Sequence, residues 1–232
     1  MKITSFGGIT VMAPAAIAIT AWLVVERSWR MALWWCLLFT AGMGLVVATK
    51  IAFIGWGIGI RSLDFTGFSG HSMRATAVIP VLFYLILQKA SPIARATGVL
   101  IGIVFGVIVG VSRLVLHAHS VSEAIAGCIL GGIVSLTFIW LLGPPQKFIL
   151  YRSLIALSLV ALLAVPYAEP APTQRWITGL ALYLSGHDRP FVRHGWKLAP
   201  IQLALPKELH EDYFCPTPRK DKNIYRLPLS EI

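Results

Sequence analysis

The chain is poor in charge, and poorest in negative charge. Of its 232 residues only 13% are Asp, Glu, Lys or Arg, about half of the roughly 25% usual in a soluble domain. The first 166 residues hold just three acidic side chains, Glu26, Asp64 and Glu123. So little charge on so apolar a stretch excludes a soluble domain there and makes a bilayer its natural solvent. Cysteine is scarce as well. Cys36, Cys128 and Cys215 are odd in number and form no CxxC, which excludes a disulfide framework and a zinc knuckle. A continuous basic stripe is also missing, despite a net charge of +10. Lys and Arg stand at the ends of apolar runs, or in the tail from residue 167, where nine of them face seven Asp and Glu. That distribution speaks against nucleic acid as a partner and for anionic lipid headgroups.

What the chain has is apolar runs. Phe6–Val25 and Met31–Thr49 are uncharged and each about long enough to cross a hydrocarbon core of roughly 30 Å. The first is longer than the apolar region of a signal peptide and is read as a helix. Three more spans are expected at about His71–Gln88, Ala96–Leu116 and Val121–Leu142, and a shorter sixth at Ser153–Ala168. Between the second and third lies Ile51–Ile60, where Gly55, Gly57 and Gly59 alternate and weaken a regular helix. The expected fold class is all-α: a polytopic membrane protein of about six transmembrane helices with a short extramembrane C-terminal tail. The division falls at residues 1–168 for the transmembrane domain and 169–232 for the tail. In the tail the apolar run Trp176–Leu184 is too short to span and is expected at the membrane surface. Gly102, Gly106 and Gly110, and Gly127 and Gly131, fall four apart, a spacing that lets helices approach closely in lipid.

Six spans put Arg27, Arg30, Lys89, Arg95, Lys147 and Arg152 on one side, which the positive-inside rule makes cytoplasmic. The 61–71 and 117–122 loops then face outward, as does the tail. The expected location is the inner or plasma membrane, with the functional face extracytoplasmic.

Ionisable residues in such a chain are functional candidates by default, and they gather in three places. Lys50 is followed by Arg61. Phe68-Ser69-Gly70-His71 enters the third span. Ser112-Arg113, His117-Ala118-His119 and Glu123 bridge the fourth and fifth. This set suits phosphoryl transfer, whose transition state spreads negative charge over oxygens that cations and N–H donors must hold. Arg113, Lys50 and Arg61 supply cations, Ser69 a hydroxyl and Gly70 a backbone N–H at a helix start. Histidine serves as nucleophile or as proton donor. His119 and Glu123, four apart, share a helix face if the fifth span begins there, so the carboxylate can fix the imidazole tautomer.

Ser112-Arg113, then His119, then Glu123 resembles the third signature, SRxxxxxHxxxD, of the type-2 phosphatidic acid phosphatase and haloperoxidase superfamily. Phe68-Ser69-Gly70-His71 resembles its second, PSGH. The resemblance covers roughly residues 30–145. It implies a helical core, His119 as a phosphohistidine nucleophile, His71 as the acid for the leaving group, and Glu123 orienting His119. It also implies that Arg113, Ser69 and Gly70 hold phosphate oxygens, and that no metal or other cofactor is required. The implied partner is a lipid phosphate or diphosphate in the bilayer: a polyprenyl diphosphate, a glycerolipid phosphate or a lipid A phosphate. Phosphotransfer to another hydroxyl would use the same residues, and a lipid-phosphate binder or transporter could keep the pocket without the chemistry. Three positions depart from the pattern. Phe68 replaces Pro, Glu123 replaces Asp with one methylene more, and the first signature, KxxxxxxRP, is absent as written, with Lys50 and Arg61 as stand-ins.

Each residue also has a plainer reading. Ser120-Val121-Ser122-Glu123 fits a capping box. His117 and His119 form a His-x-His pair, but no third metal ligand has suitable spacing. Arg74, one turn beyond His71, could contact phosphate or merely snorkel, and is read as snorkelling. Asp64 is read as a turn residue with Arg61 in reach, and Ser185-Gly186-His187 as a chance repeat of the SGH tripeptide.

Overall fold

The structure, a computed structural model, describes residues 8–116, 118–143, 173–193 and 196–198. Six α-helices account for most of them: α1 (Ile9–Val25), α2 (Trp29–Trp56), α3 (Gly70–Ile86), α4 (Pro92–Val115), α5 (Val121–Leu142) and α6 (Thr173–Ser185). A 3-10 turn at Arg61–Leu63 and a two-stranded antiparallel ribbon, β1 (Phe191–Val192) with β2 (Lys197–Leu198), complete the list. Helices α2, α4 and α5 are long and apolar enough to cross a membrane, while α1 and α3 are apolar but shorter. The expected sixth span and His117 lie outside the described residues.

Helix ends follow local chemistry. Ser91 caps α4 by accepting from Ala94 N at 3.2 Å, and Pro92 occupies the first position, where no N–H is needed. Ser120 caps α5 in a complete capping box with Glu123. The bounds of α5 are those expected. Those of α2 are not, because the helix runs on through Lys50 and Gly55 to Trp56. In lipid, a backbone that stops being helical leaves its own groups unbonded, which keeps isolated glycines inside the helix. The stop falls at Gly57, whose φ of 68° suits glycine.

Helix α3 is the hub. Its residues Ser72, Met73, Ala75, Thr76, Ala77, Val78 and Val81 are almost wholly enclosed, because glycines of α4 and α5 press on it from both sides. A Cβ on Gly131 would run into Thr76 Oγ1 and Met73 O, and one on Gly127 would stand 2.6 Å from Ser69 O. On the other side Gly102 would meet Pro80 Cα at 2.7 Å, so the glycine makes room for the proline inside α3. The glycine spacing read from the sequence is thus the packing surface between these helices. Away from α3, Leu100, Ile101, Val104, Val107, Ile108 and Val111 leave α4 with a continuous exposed apolar face, as lipid contact requires.

The described part of the tail packs on the helices. Helix α6 and the ribbon dock on the end of α2, and the three alternate glycines form the docking strip. Gly55 lies under Ala181 and Ser185, Gly57 under the Phe191 ring, and Gly59 under Trp196, each too close to admit a Cβ without movement. Phe53 meets Trp196 edge to face at 5.0 Å, and Ala181 is fully buried against Phe53 and Ile54. A pattern that reads as helix-weakening is a groove for another part of the chain.

Candidate active site

Two connections meet at one end of the bundle. The segment after α2 closes on itself through reciprocal backbone bonds between Ile60 and Phe65, at 2.9 and 3.0 Å. It is then fastened to the start of α5. Ser122 Oγ donates to Leu63 O at 2.7 Å, Thr66 N to Glu123 Oε1 at 2.8 Å, and Ser69 N to Glu123 O at 3.1 Å. These bonds set the second motif against the third.

Glu123 is fully buried, and a buried carboxylate must be matched by donors. Its Oε2 accepts from His119 Nδ1 at 2.7 Å and from Ser120 N at 3.3 Å. Its Oε1 accepts from Thr66 N, from Thr66 Oγ1 at 2.5 Å and from Arg193 Nη2 at 2.6 Å. One carboxylate thus bonds both the N-cap backbone and the imidazole. A carboxylate can only accept, so the proton between the two side chains sits on His119 Nδ1 and the lone pair is left on Nε2. The His119 side chain is 7% exposed. Burial pushes its pKa below the ordinary 6.5. The Glu123 bond opposes that shift, while the charges of Lys50 and Arg113 add to it. The imidazole is accordingly neutral at pH 7.

Basic groups surround this pair. Lys50 and Arg113 act on the charge of His119, and His71 feels Arg113, Arg74, His119 and Lys50. Arg74 does not snorkel. It is 8% exposed, and its Nη1 would stand 3.1 Å from a Cβ on Gly70, so the glycine lets the guanidinium lie against the first turn of α3. Ser69 is the N-cap of α3 and fully buried. Its Oγ accepts from Ser72 N at 3.5 Å and Ser72 Oγ at 2.9 Å, which leaves its own proton to be donated. Lys50, Phe53, Ile54, Thr66, Gly67 and His119 line a cavity of about 10 Å³, about the space of one water molecule.

Of the residues singled out in the sequence, His119, Glu123, His71, Arg113, Lys50, Ser69 and Gly70 come together at this end. Arg61 stands apart: it is exposed, and its guanidinium lies over Trp196, 5.5 Å from the ring centroid. Asp64 pairs with Arg193 at 3.1 Å, not with Arg61. His187 is a structural anchor of the tail, with Nδ1 2.8 Å from Gly55 O. No group of three or more His, Cys, Asp or Glu side chains that could hold a metal ion occurs among the described residues.

The PAP2 superfamily model matches residues 56–147, a stretch that contains both loops of this site. An uncharacterized 22.5 kDa protein in the cps region of Klebsiella pneumoniae is 39% identical over 196 residues, covering 82% of this chain and 94% of the relative. The chain belongs to the PAP2 superfamily. Membership supports phosphatase activity. No solved structure matches the chain. In this superfamily member, sequence reasoning missed Thr66 and Arg193, which hold the outer oxygen of Glu123. Thr66 lies just before the second motif and carries no signal of its own. Arg193 is one of several basic residues in a tail of mixed charge.

Proposed function

We propose that the protein hydrolyses a lipid phosphate or diphosphate through a phosphohistidine on His119. The contact that carries this reading is His119 Nδ1 to Glu123 Oε2 at 2.7 Å, which orients a neutral imidazole with Nε2 free. In the first step Nε2 attacks phosphorus, an N–P bond forms, and the bond from phosphorus to the leaving oxygen breaks. His71 gives that oxygen a proton. Water then attacks the phosphohistidine and gives a proton back to His71; the N–P bond breaks, inorganic phosphate leaves, and the Nδ1 proton stays with the Glu123 bond throughout. Arg113 and Lys50 hold the equatorial oxygens, joined by the Ser69 hydroxyl and the Gly70 N–H. Cations and N–H groups supply the charge stabilisation, so the reaction needs no metal.

The membrane arrangement belongs to the same proposal: six crossings in residues 1–168, a tail after them, and the site on the extracytoplasmic face of the inner or plasma membrane. Arg61 acts in this scheme by holding Trp196.

The test is phosphate release in detergent from dioleoyl phosphatidic acid and farnesyl diphosphate with excess chelator, for wild type and His119→Ala. Release that persists in chelator and disappears in the folded variant is the expected result. Release abolished by chelator in the wild type would overturn the metal-free mechanism. A wild type inert toward both lipids would overturn the hydrolase reading for these substrate classes.

A further inference from the structure

We infer that Arg193, from the tail, is a positioning residue of the active site, clamping Glu123 so that its inner oxygen meets His119. The inference rests on the reading of His119 as nucleophile, but its geometry stands independently.

Glu123 is one methylene longer than the aspartate of the superfamily signature. A longer carboxylate has one more torsion to settle, and an error of about 1 Å at a reacting group is worth on the order of 100-fold in rate. Something must fix that torsion. Thr66 and Arg193 do so from the far side, with Thr66 N at 2.8 Å and Arg193 Nη2 at 2.6 Å from Oε1. Thr66 Oγ1 completes a relay, accepting from Arg193 Nη2 at 3.2 Å and donating to Oε1. The same guanidinium reaches Asp64 Oδ2 through Nη1 at 3.1 Å. The fork thus spans two acids in two separate segments. Lysine has the charge but no fork.

The two ion pairs differ in weight. Asp64 is half-exposed, with a side-chain exposure of 51%, and such pairs contribute little. Glu123 is at 0%, where losing a partner leaves a buried charge poorly matched. The Glu123 contact is therefore the consequential one.

The position of Arg193 is built, not incidental. It follows β1 directly, and the ribbon is seated by Phe191 on Gly57 and Trp196 on Gly59. Helix α6 is seated on Gly55, where His187 also bonds the Gly55 carbonyl. Three glycines of the segment after Lys50 accept three parts of the tail, and the guanidinium arrives at Glu123 as the result.

An electrostatic consequence separates this role from simple tail docking. The charged and titratable groups around His119 are Lys50 from α2, His71 from α3, Arg113 from α4 and Glu123 from α5, with Arg74 of α3 acting on His71 and Arg193 with Asp64 beyond Glu123. Arg193 offsets the Glu123 charge that favours imidazolium, so its removal makes His119 easier to protonate while Glu123 keeps its bond, and harder once the carboxylate swings away. The experiment follows acylation of His119 by diethyl pyrocarbonate against pH, resolved by fragment mass spectrometry, in full-length wild type, Arg193→Lys and Arg193→Ala. The reagent attacks neutral imidazole, so the midpoint reports protonation without turnover. Phosphate release from the two lipids above gives kcat and KM in parallel.

The expected result is a midpoint moved by about half a pH unit or more in Arg193→Ala, upward where Glu123 stays on His119 and downward where it swings away, a shift of the size that one lost charge contact produces. With it, kcat falls on the order of 10-fold or more, as displacement of a catalytic group predicts, while KM changes little. Arg193→Lys restores most of the midpoint and only part of kcat, because it keeps charge and loses the fork. If Arg193→Ala does not fold, the Lys variant decides: wild-type kcat there would overturn the clamp. An unmoved midpoint in folded Arg193→Ala would overturn it whatever the turnover. A wild type inert toward both lipids would defeat the hydrolase reading alone, and the midpoints would still decide the role of Arg193.

Discussion

His119 Nδ1 and Glu123 Oε2 lie 2.7 Å apart across the first turn of α5, and the far oxygen of the same carboxylate is held by Thr66 and Arg193. One carboxylate therefore fixes a loop imidazole, caps a helix and receives the tail. The superfamily's usual aspartate would be too short for all three in this setting. Glu123→Asp is expected to lower kcat on the order of 100-fold, because it retreats by about 1 Å from either His119 or Arg193. Steady-state kinetics on the lipid phosphates check this. Unchanged kcat would mean that the extra methylene has no function.

Arg113→Ala should lose on the order of 3 kcal/mol of transition-state stabilisation, about 100-fold or more in kcat/KM. Orthovanadate, which adopts the five-coordinate geometry of phosphorus in transfer, should compete with lipid substrate in the wild type and bind far less well to this variant. Equal inhibition of both proteins would take Arg113 out of the phosphate site.

The pKa of His119 is held down mainly by burial, with Lys50 and Arg113 adding to the shift against the pull of Glu123. A lowered pKa extends the neutral form to lower pH, so the midpoint for acylation of wild-type His119 should lie below pH 6.5. A midpoint above 6.5 would show that Glu123 outweighs burial and the two cations.

Gly131→Ala should destabilise the protein by about 1–3 kcal/mol, the usual range for overpacking, because its methyl would strike Thr76 Oγ1 and Met73 O. Gly132→Ala, one residue on, meets nothing within 4 Å and should match or exceed wild-type stability, since alanine is the better helix former. Thermal unfolding in one detergent compares the two. Equal losses would remove the close approach of α3 and α5 as the reason for Gly131.

Much of the fold was legible because it depends on local chemistry. Ser120 and Glu123 announce the start of α5, and the apolar run from Val121 sets its length. Gly127 and Gly131 announce close packing by spacing alone. The pairing of His119 with Glu123 was legible too, since four residues on one helix start bring them together wherever the helix goes. Contacts between distant parts of the chain left no such trace. Gly55, Gly57 and Gly59 read as weak points, because the residues that fill the space above them are more than 120 positions away. Arg193 is 70 residues from Glu123, and nothing beside it in the sequence distinguishes it from Arg189 or Lys197. Arg74 was misjudged because snorkelling assumes an open route to the headgroups, and α3 is enclosed by its neighbours.

The length of α2 has one further consequence. Its 28 residues amount to about 42 Å at 1.5 Å per residue, against a hydrocarbon core of about 30 Å. Lys50 comes six residues before Trp56, so about 9 Å of helix continues beyond the lysine. On the proposed function, the end of α2 beyond Lys50 would stand between the lysine and the rim, so a phosphorus bonded directly to the anchor of a lipid would reach it with its chains still in the leaflet. The overhang would then act as a depth gauge, favouring compact headgroups over those that carry their phosphate far out into water.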